Sequence, residues 1–271
     1  MQTTIAAATT RSVLSEELST IRVLVKRDLV RFFREKSRVI GALVQPLIFW
    51  LMIGSGMAST FVLPGARGLG YQQYFYPGVV VMVMLFTAIF ATMSVIEDRH
   101  SGFLQAVMVA PGSRASLVIG KSLGATSVAI TQSMLFVMLA PAAGFALGEI
   151  DWPALLAALV LGSFALCALG FAIAWWVDSS AGYHVIMSLL LLPMWILSGA
   201  MFPSPPSGVI AVLQRFNPVS YAVSAVRRAL HGGVVPGGTD LSVSTAFELG
   251  VLVVFCLVAV SAGLFACHRR R

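Results

Sequence analysis

The chain has 271 residues, of which 58% are apolar and only 11% charged, with 18 Lys and Arg against 11 Asp and Glu for a net charge of +7. An average soluble domain carries about 25% charged residues, and a globule so poor in them could not cover its surface, so a soluble one-domain enzyme is excluded. A disordered chain is excluded as well, because it needs low apolar content; the composition is that of an all-α polytopic membrane protein.

Residues 1–38 form a polar N-terminus ahead of the first apolar run. Leu14, Leu18, Ile21, Val25, Leu29 and Phe32 recur at three- and four-residue steps and predict an amphipathic helix from Leu14 to Arg38. Arg27, Arg31, Arg34 and Arg38 recur at the same steps on the opposite side, and Glu16 and Glu17 suit the helix N-terminus. Such a helix is expected to lie in the membrane interface with its apolar stripe in the lipid. It serves as an orientation signal and anchor, or as a docking ledge for a cytoplasmic partner.

A transmembrane helix needs roughly 20 mostly apolar residues. Six such spans are read between the charges: Val39–Val62, Tyr74–Ile96, a third starting near Leu117 and uncharged from Ser122 to Gly148, Ala154–Val177, Tyr183–Phe202 and Leu249–Cys267. The transmembrane domain is thus 39–267, followed by a basic tail, 268–271. The first apolar run is span-length and begins only at Val39, so it reads as an anchor rather than a cleaved secretory signal. Fourteen of the Lys and Arg fall on the side of both termini and four on the other, which predicts cytoplasmic N- and C-termini. The basic charge is then a topology signal, and no nucleic acid partner is needed to explain it.

Two extramembrane segments stand out. Between spans two and three, residues 97–118 are much longer than the few residues a minimal connection needs. Glu97, Asp98, Arg99 and His100 cluster at the start, Phe103 to Val109 forms a short amphipathic piece, and Pro111-Gly112-Ser113 makes a turn before Arg114 and Lys121. An element of this kind can act as a rigid lever that passes a push from a cytoplasmic partner into spans two and three, or it can simply rest on the membrane. Outside, residues 203–245 begin with Pro203, Pro205 and Pro206. Asn217 with Pro218 then predicts a capped helix start, and Gly232-Gly233 the stop after Leu230. So apolar a helix outside suggests a re-entrant or interfacial pair closing the outer end of a pathway, or a surface cap.

Other chemistries lack their residues. Cys167, Cys256 and Cys267 have no CxxC spacing, and His100, His184, His231 and His268 are scattered, so neither disulfides nor a metal site is expected. Gly120-Lys121-Ser122 is the only candidate for the end of a phosphate loop, but the leading glycine position is Ala115 and no strand precedes it. No catalytic residues and no bound cofactor are expected in this chain. Asp178, Glu248, Lys121 and His184 are read at span ends, so a proton relay at mid-membrane is not expected.

Glu97-Asp98 to Gly102, then Leu104, Val107 and Val109, Pro111-x-Ser113-Arg114 and Gly120-Lys121, resembles the cytoplasmic signature of ABC transporter permeases of the type-2 exporter class. Gly112 departs from the larger residue usual after that proline. Asn217-Pro218-Val219-Ser220-Tyr221 with Arg227 resembles the family's external signature, and the span order fits over nearly the whole chain. The resemblance implies that 97–114 contains a coupling helix docking on an ATP-binding subunit. Glu97, Asp98, Arg99, Gly102, Phe103, Leu104, Val107, Pro111, Ser113, Arg114 and Lys121 would be the coupling residues. It implies that the helix carrying Arg27, Arg31, Arg34 and Arg38 is the connecting helix, and that Asn217, Pro218, Tyr221 and Arg227 belong to an external gate. Two ATP-binding subunits holding ATP and Mg, a second permease copy and a bacterial or archaeal plasma membrane are implied with it. Spans one, two and five would face the centre, where Phe49, Trp50, Phe86 and Phe90 would line a path for a lipophilic drug or lipid, unless they serve packing or face lipid. The alternatives are a non-transporting membrane scaffold and a secondary carrier.

Overall fold

The computed structural model describes residues 13–57, 69–109, 113–203, 207–233, 241 and 243–269. In order, the helices are α1 (Val13–Arg34), α2 (Lys36–Gly56), α3 (Tyr71–Thr92), α4 (Ser94–His100), α5 (Phe103–Val109), α6 (Arg114–Val137), α7 (Trp152–Trp176), α8 (Ser180–Ile196), α9 (Val209–Phe216), α10 (Pro218–Leu230) and α11 (Thr245–Arg269). A 3-10 turn at Ala140–Ala143 follows α6, and the described residues contain no strand. Local chemistry sets several starts. The side chains of Ser113, Asp151, Ser179 and Asn217 each accept a first-turn amide, from Ser116, Ala154, Gly182 and Val219 respectively.

Among the described residues, four segments are long and apolar enough to cross a membrane: Val39–Gly56, Tyr71–His100, Trp152–Trp176 and Thr245–Arg269. The second runs through α3 and α4 with only Met93 between them. The apolar α8 is shorter, at 17 residues. α6 has 24 residues but carries Ser122, Thr126, Gln132 and Ser133, all buried among its neighbours. Thr87 of α3 donates to Gln132 Oε1 at 2.8 Å, and Thr126 and Thr131 donate to carbonyls one turn back on their own helix.

α3 is the centre of the subunit, packed by α2, α6, α7, α8 and α10. Of its side chains only those of Gln72, Gln73 and Phe90 are part-exposed. A buried polar tip needs a partner where water is excluded. Tyr71 and Tyr74 donate to the carbonyls of Met201 and Gly199, at 3.1 and 2.8 Å, where the chain leaves α8. Tyr76 donates to Phe136 O, and Trp195 Nε1 reaches Gly78 O at 2.7 Å. Gly78 is required by the close approach: a Cβ there would lie 2.6 Å from Ala200 Cβ and 2.9 Å from its Cα.

The structure corrects several expectations. The N-terminal helix is not continuous to Arg38: α1 ends at Arg34, Glu35 sits at φ −90° and ψ 76°, and Arg38 falls on α2 with its side chain outside the described residues. The stripe of α1 is not simply laid into lipid. Leu24, Asp28 and Phe32 are buried, and the helix packs along α6, while Leu18 stays exposed. The helix of the first span stops at Gly56, with 58–68 outside the described residues. Trp50 and Phe86 are buried in this chain's own core, which removes them from a pathway wall in this arrangement.

Replacing Gly78 by Ala is expected to destabilise the detergent-solubilised protein by about 1–3 kcal/mol, the usual cost of overpacking. Gly41→Ala, where a Cβ meets nothing within 4 Å, serves as the control. Equal thermal midpoints for the two variants would contradict the close packing at Ala200.

Candidate coupling site

The ends of α1, α4, α6, α7 and α11 that carry most of the basic residues meet at one end of the bundle. There Lys121 of α6 is 2% exposed, and its ammonium bridges two helices. It contacts Asp28 of α1 at 2.7 and 2.9 Å, Asp98 of α4 at 2.8 Å and Ser94 Oγ at 3.1 Å. Asp98, 1% exposed, is also gripped by both nitrogens of the Arg27 fork, Nη1 at 2.7 Å, and by Arg31 Nη1 at 2.8 Å. Arg31 continues to Glu97 at 2.7 Å and to Glu35 at 3.4 Å. The bond to Asp98 raises the pKa of Arg27 still further against the opposing effect of burial. So Arg27 and Arg31, expected on the side opposite the apolar stripe, are turned onto α4.

The close approach of α1 to α6 makes the network possible. A Cβ at Gly120 would fall 2.9 Å from Leu24 Cδ1, and one at Gly124 would fall 3.1 Å from Asp28 Cβ. A Cβ at Gly124 would press on the Asp28 side chain that Lys121 holds.

Gly102 separates α4 from α5 at φ +74°, a left-handed conformation that L side chains resist. It turns the short α5 so that Leu104 is buried and Phe103 and Val107 pack on the core. The Arg27 guanidinium lies over the Phe103 ring at 3.7 Å, so α5 is seated on α1. On the outer side His100 at the end of α4, Ser101 after it, and Gln105 and Ala106 of α5 are all exposed. Arg99 reaches the end of α7, Ser113 caps α6, and Arg114 bonds Cys267 O at 2.6 Å. Pro111 lies outside the described residues, and Arg34 is exposed on α1.

At the opposite end the second group of candidates also comes together. Asn217 caps α10, starting at Pro218, and donates Nδ2 to Met194 O. Tyr221 donates to Arg215 O at 2.8 Å. Arg227 is 2% exposed; it donates to Gly199 O at 2.9 Å and lies over the Tyr74 ring at 4.5 Å. The buried Glu248 accepts from Ser224 and from Arg228, the latter at 3.3 Å, which ties α10 to α11. His231 Nδ1 lies 2.8 Å from Arg227 O, and burial lowers its pKa from the ordinary 6.5.

Sequence reasoning missed Asp28, Ser94 and Glu248 as members of these two sites. For Asp28 a signal existed: it stands four residues after Leu24 and four before Phe32, an acid on the buried line of an otherwise basic helix.

The profile of the ABC-2 family transporter proteins matches residues 56–265, which includes the whole segment from Glu97 to Lys121. The chain belongs to the ABC-2 transporter family. It is 25% identical over 240 residues to Nodulation protein J of Rhizobium leguminosarum bv. trifolii, covering 86% of each chain. It is likewise 25% identical over 264 residues to the daunorubicin resistance ABC transporter permease protein DrrB1 of Streptomyces coeruleorubidus, covering 93% of this chain and 88% of that protein. A putative transport permease named ycf38 from Cyanophora paradoxa is 25% identical over 214 residues, 76% of this chain and 72% of that one. The family makes this chain a transport permease of an ABC transporter, a membrane component.

Removing Lys121 leaves two buried carboxylates facing each other, and breaking a buried pair costs about 3–5 kcal/mol. Lys121→Met is expected to destabilise the protein by that amount, and adding Asp28→Leu should return part of it. Glu97→Gln, at a pair about one-third exposed, should cost less than about 1 kcal/mol. Equal losses for Lys121→Met and Glu97→Gln in an unfolding titration would show that the junction is not organised around Lys121.

Proposed function

We propose that this chain is the six-span membrane subunit of an ATP-driven exporter, with both termini cytoplasmic and with ATP and Mg held by a separate ATP-binding subunit. The observation that carries the reading is the seating of α5. It is a short helix turned by Gly102, with Phe103 under the Arg27 guanidinium of α1, and it follows directly on α4, which buried ion pairs tie to α1 and α6. A lever of this kind moves its attachments when pushed. Its exposed His100, Ser101, Gln105 and Ala106 are the surface for the ATP-binding subunit, while Asp98, Leu104 and Lys121 hold the lever from inside. Exposed Lys26 and Arg34 on α1 extend the same surface.

The six-span count adds α6 and α8 to the four apolar helices. α6 falls short by composition because of its polar residues, but Ser122, Thr126, Gln132 and Ser133 are buried in the bundle, with Gln132 accepting from Thr87 and Thr126 bonded within the helix. The excess of Lys and Arg at the α1, α4 and α6 end assigns that end to the cytoplasm of a plasma membrane. α2 and α8 leave apolar faces uncovered, among them Ile40, Val44, Ile48, Met52, Val185 and Leu189. We assign these to lipid and to a second permease copy, with one ATP-binding subunit for each copy. The likeness to the daunorubicin resistance permease supports a lipophilic organic cargo.

Purification of the tagged protein from its native membrane in mild detergent is expected to bring down a soluble subunit with a phosphate loop. In that complex Gly102→Pro, which forces φ to about −65° where the chain needs +74°, should leave membrane insertion intact. ATP hydrolysis should persist while ATP-dependent export of daunorubicin or a fluorescent lipid is lost. A clean homo-oligomer without any ATPase would move the assignment to a scaffold, or to a carrier if dissipating the proton gradient stops transport.

A further inference from the structure

Two arginines leave the coupling segment in directions that its own helices do not take. Arg99, in the last turn of α4, donates Nη1 to Trp175 O at 2.6 Å and Nη2 to Val177 O, and it meets Asp178 Oδ1 at 3.0 Å. These carbonyls end α7, which stops at Trp176. Arg114, the first residue of α6, donates Nη1 to Cys267 O at 2.6 Å in the last turn of α11. The last four carbonyls of a helix have no partner within it, and they carry the negative end of its dipole. A guanidinium fork meets such a group better than an ammonium does, because its donors are fixed and several.

α7 and α11 pack against each other along most of their length, more extensively than any other pair in the subunit. Cys256 Sγ donates to Leu161 O at 3.3 Å between them. At their far end both touch α10, where Glu248 of α11 holds Ser224 and Arg228. The pair therefore joins the coupling segment at one end of the molecule to the buried helix α10 at the other.

We propose that Arg99 and Arg114 are positioning residues that strap the two ends of the coupling segment to the carbonyl ends of α7 and α11. A displacement of α5 then reaches this helix pair directly, and through it α10, and is not confined to α3 and α6, with which the segment is continuous. The inference rests on the coupling role proposed above. It deepens that role by naming which spans are driven.

The test uses the full complex with its ATP-binding subunit and one environment-sensitive fluorophore at a time. The reporters are Gln105→Cys on α5, Trp176→Cys at the end of α7 and His268→Cys at the end of α11. All three native positions are exposed, and the native cysteines are buried. Signals are compared in ADP and in ATP with vanadate. In the parent all three reporters should respond. Arg99→Gln should shrink the response at position 176 roughly tenfold, the effect of losing a charge-assisted bond in a two-state element, and leave those at 105 and 268. Arg114→Gln should do the reverse, silencing 268 and sparing 176. The lysine variants, which keep the charge at each helix end, should restore part of each signal. A general loss of folding cannot produce this crossed pattern, and matching gel-filtration profiles check it. Full responses at 176 and 268 in both glutamine variants, or loss of both in either one, would overturn the straps while leaving the coupling role intact. A silent reporter at 105 in the parent would overturn the coupling role, and the straps with it.

Discussion

One ammonium group organises the basic end of this permease. Lys121 sits inside the protein with Asp28 on one side and Asp98 on the other, and the three residues belong to three different helices. In a medium of low dielectric an unpaired charge is costly, so each member is held by the others, and none can move alone. Arg27 and Arg31 complete the charge balance around Asp98 and Glu97. The glycines at 120 and 124 let the α1 backbone come close enough for the contact to form. α5 takes its position from this junction, because Arg27 both grips Asp98 and lies over Phe103. The short helix is thus held between α4, which it follows, and Arg27 of α1.

The other end of the subunit meets the same physical demand with different means. There the backbone is broken at the end of α8 and again before α10, and broken helices leave carbonyls without partners. Tyr71, Tyr74 and Arg227 come from neighbouring helices to satisfy Met201 O and Gly199 O. Asn217 caps α10 with its oxygen and uses its nitrogen on Met194 O. The basic end is held mainly by pairs of opposite charge, and this end mainly by donors aimed at helix-end carbonyls. Between them α3 runs through a mainly apolar core, with the Thr87–Gln132 and Thr92–Tyr183 pairs as exceptions.

Much of the fold is legible in the sequence because it depends on local chemistry. The Asn217-Pro218 start and the Gly232-Gly233 stop of α10 stand where the residues place them, and α7 and α11 follow their uncharged runs. The segment between α3 and α6 stands out in the sequence too, by its length and by the charges at its start, and it holds the short helices α4 and α5. The differences share one cause. Arg27 and Arg31 read as solvated and Lys121 as a residue at a span end, because a charge in isolation belongs in water. In the sequence Phe86 and Trp50 stay open between a pathway, lipid and packing, because an aromatic residue in a span looks the same in each, and the structure buries both in the core.

From the sequence alone came the class of the protein, the order of its long apolar helices and the Asn217 cap that starts α10. These follow from apolar run length, charge asymmetry and turn residues, all of which act over a few positions. Which charges pair was decided only in three dimensions: Asp28 and Lys121 are 93 positions apart, and Arg114 and Cys267 are 153 apart. No local pattern encodes such a distance. It is set by how closely two helices pack, and that depends on glycines and side-chain volumes contributed by both.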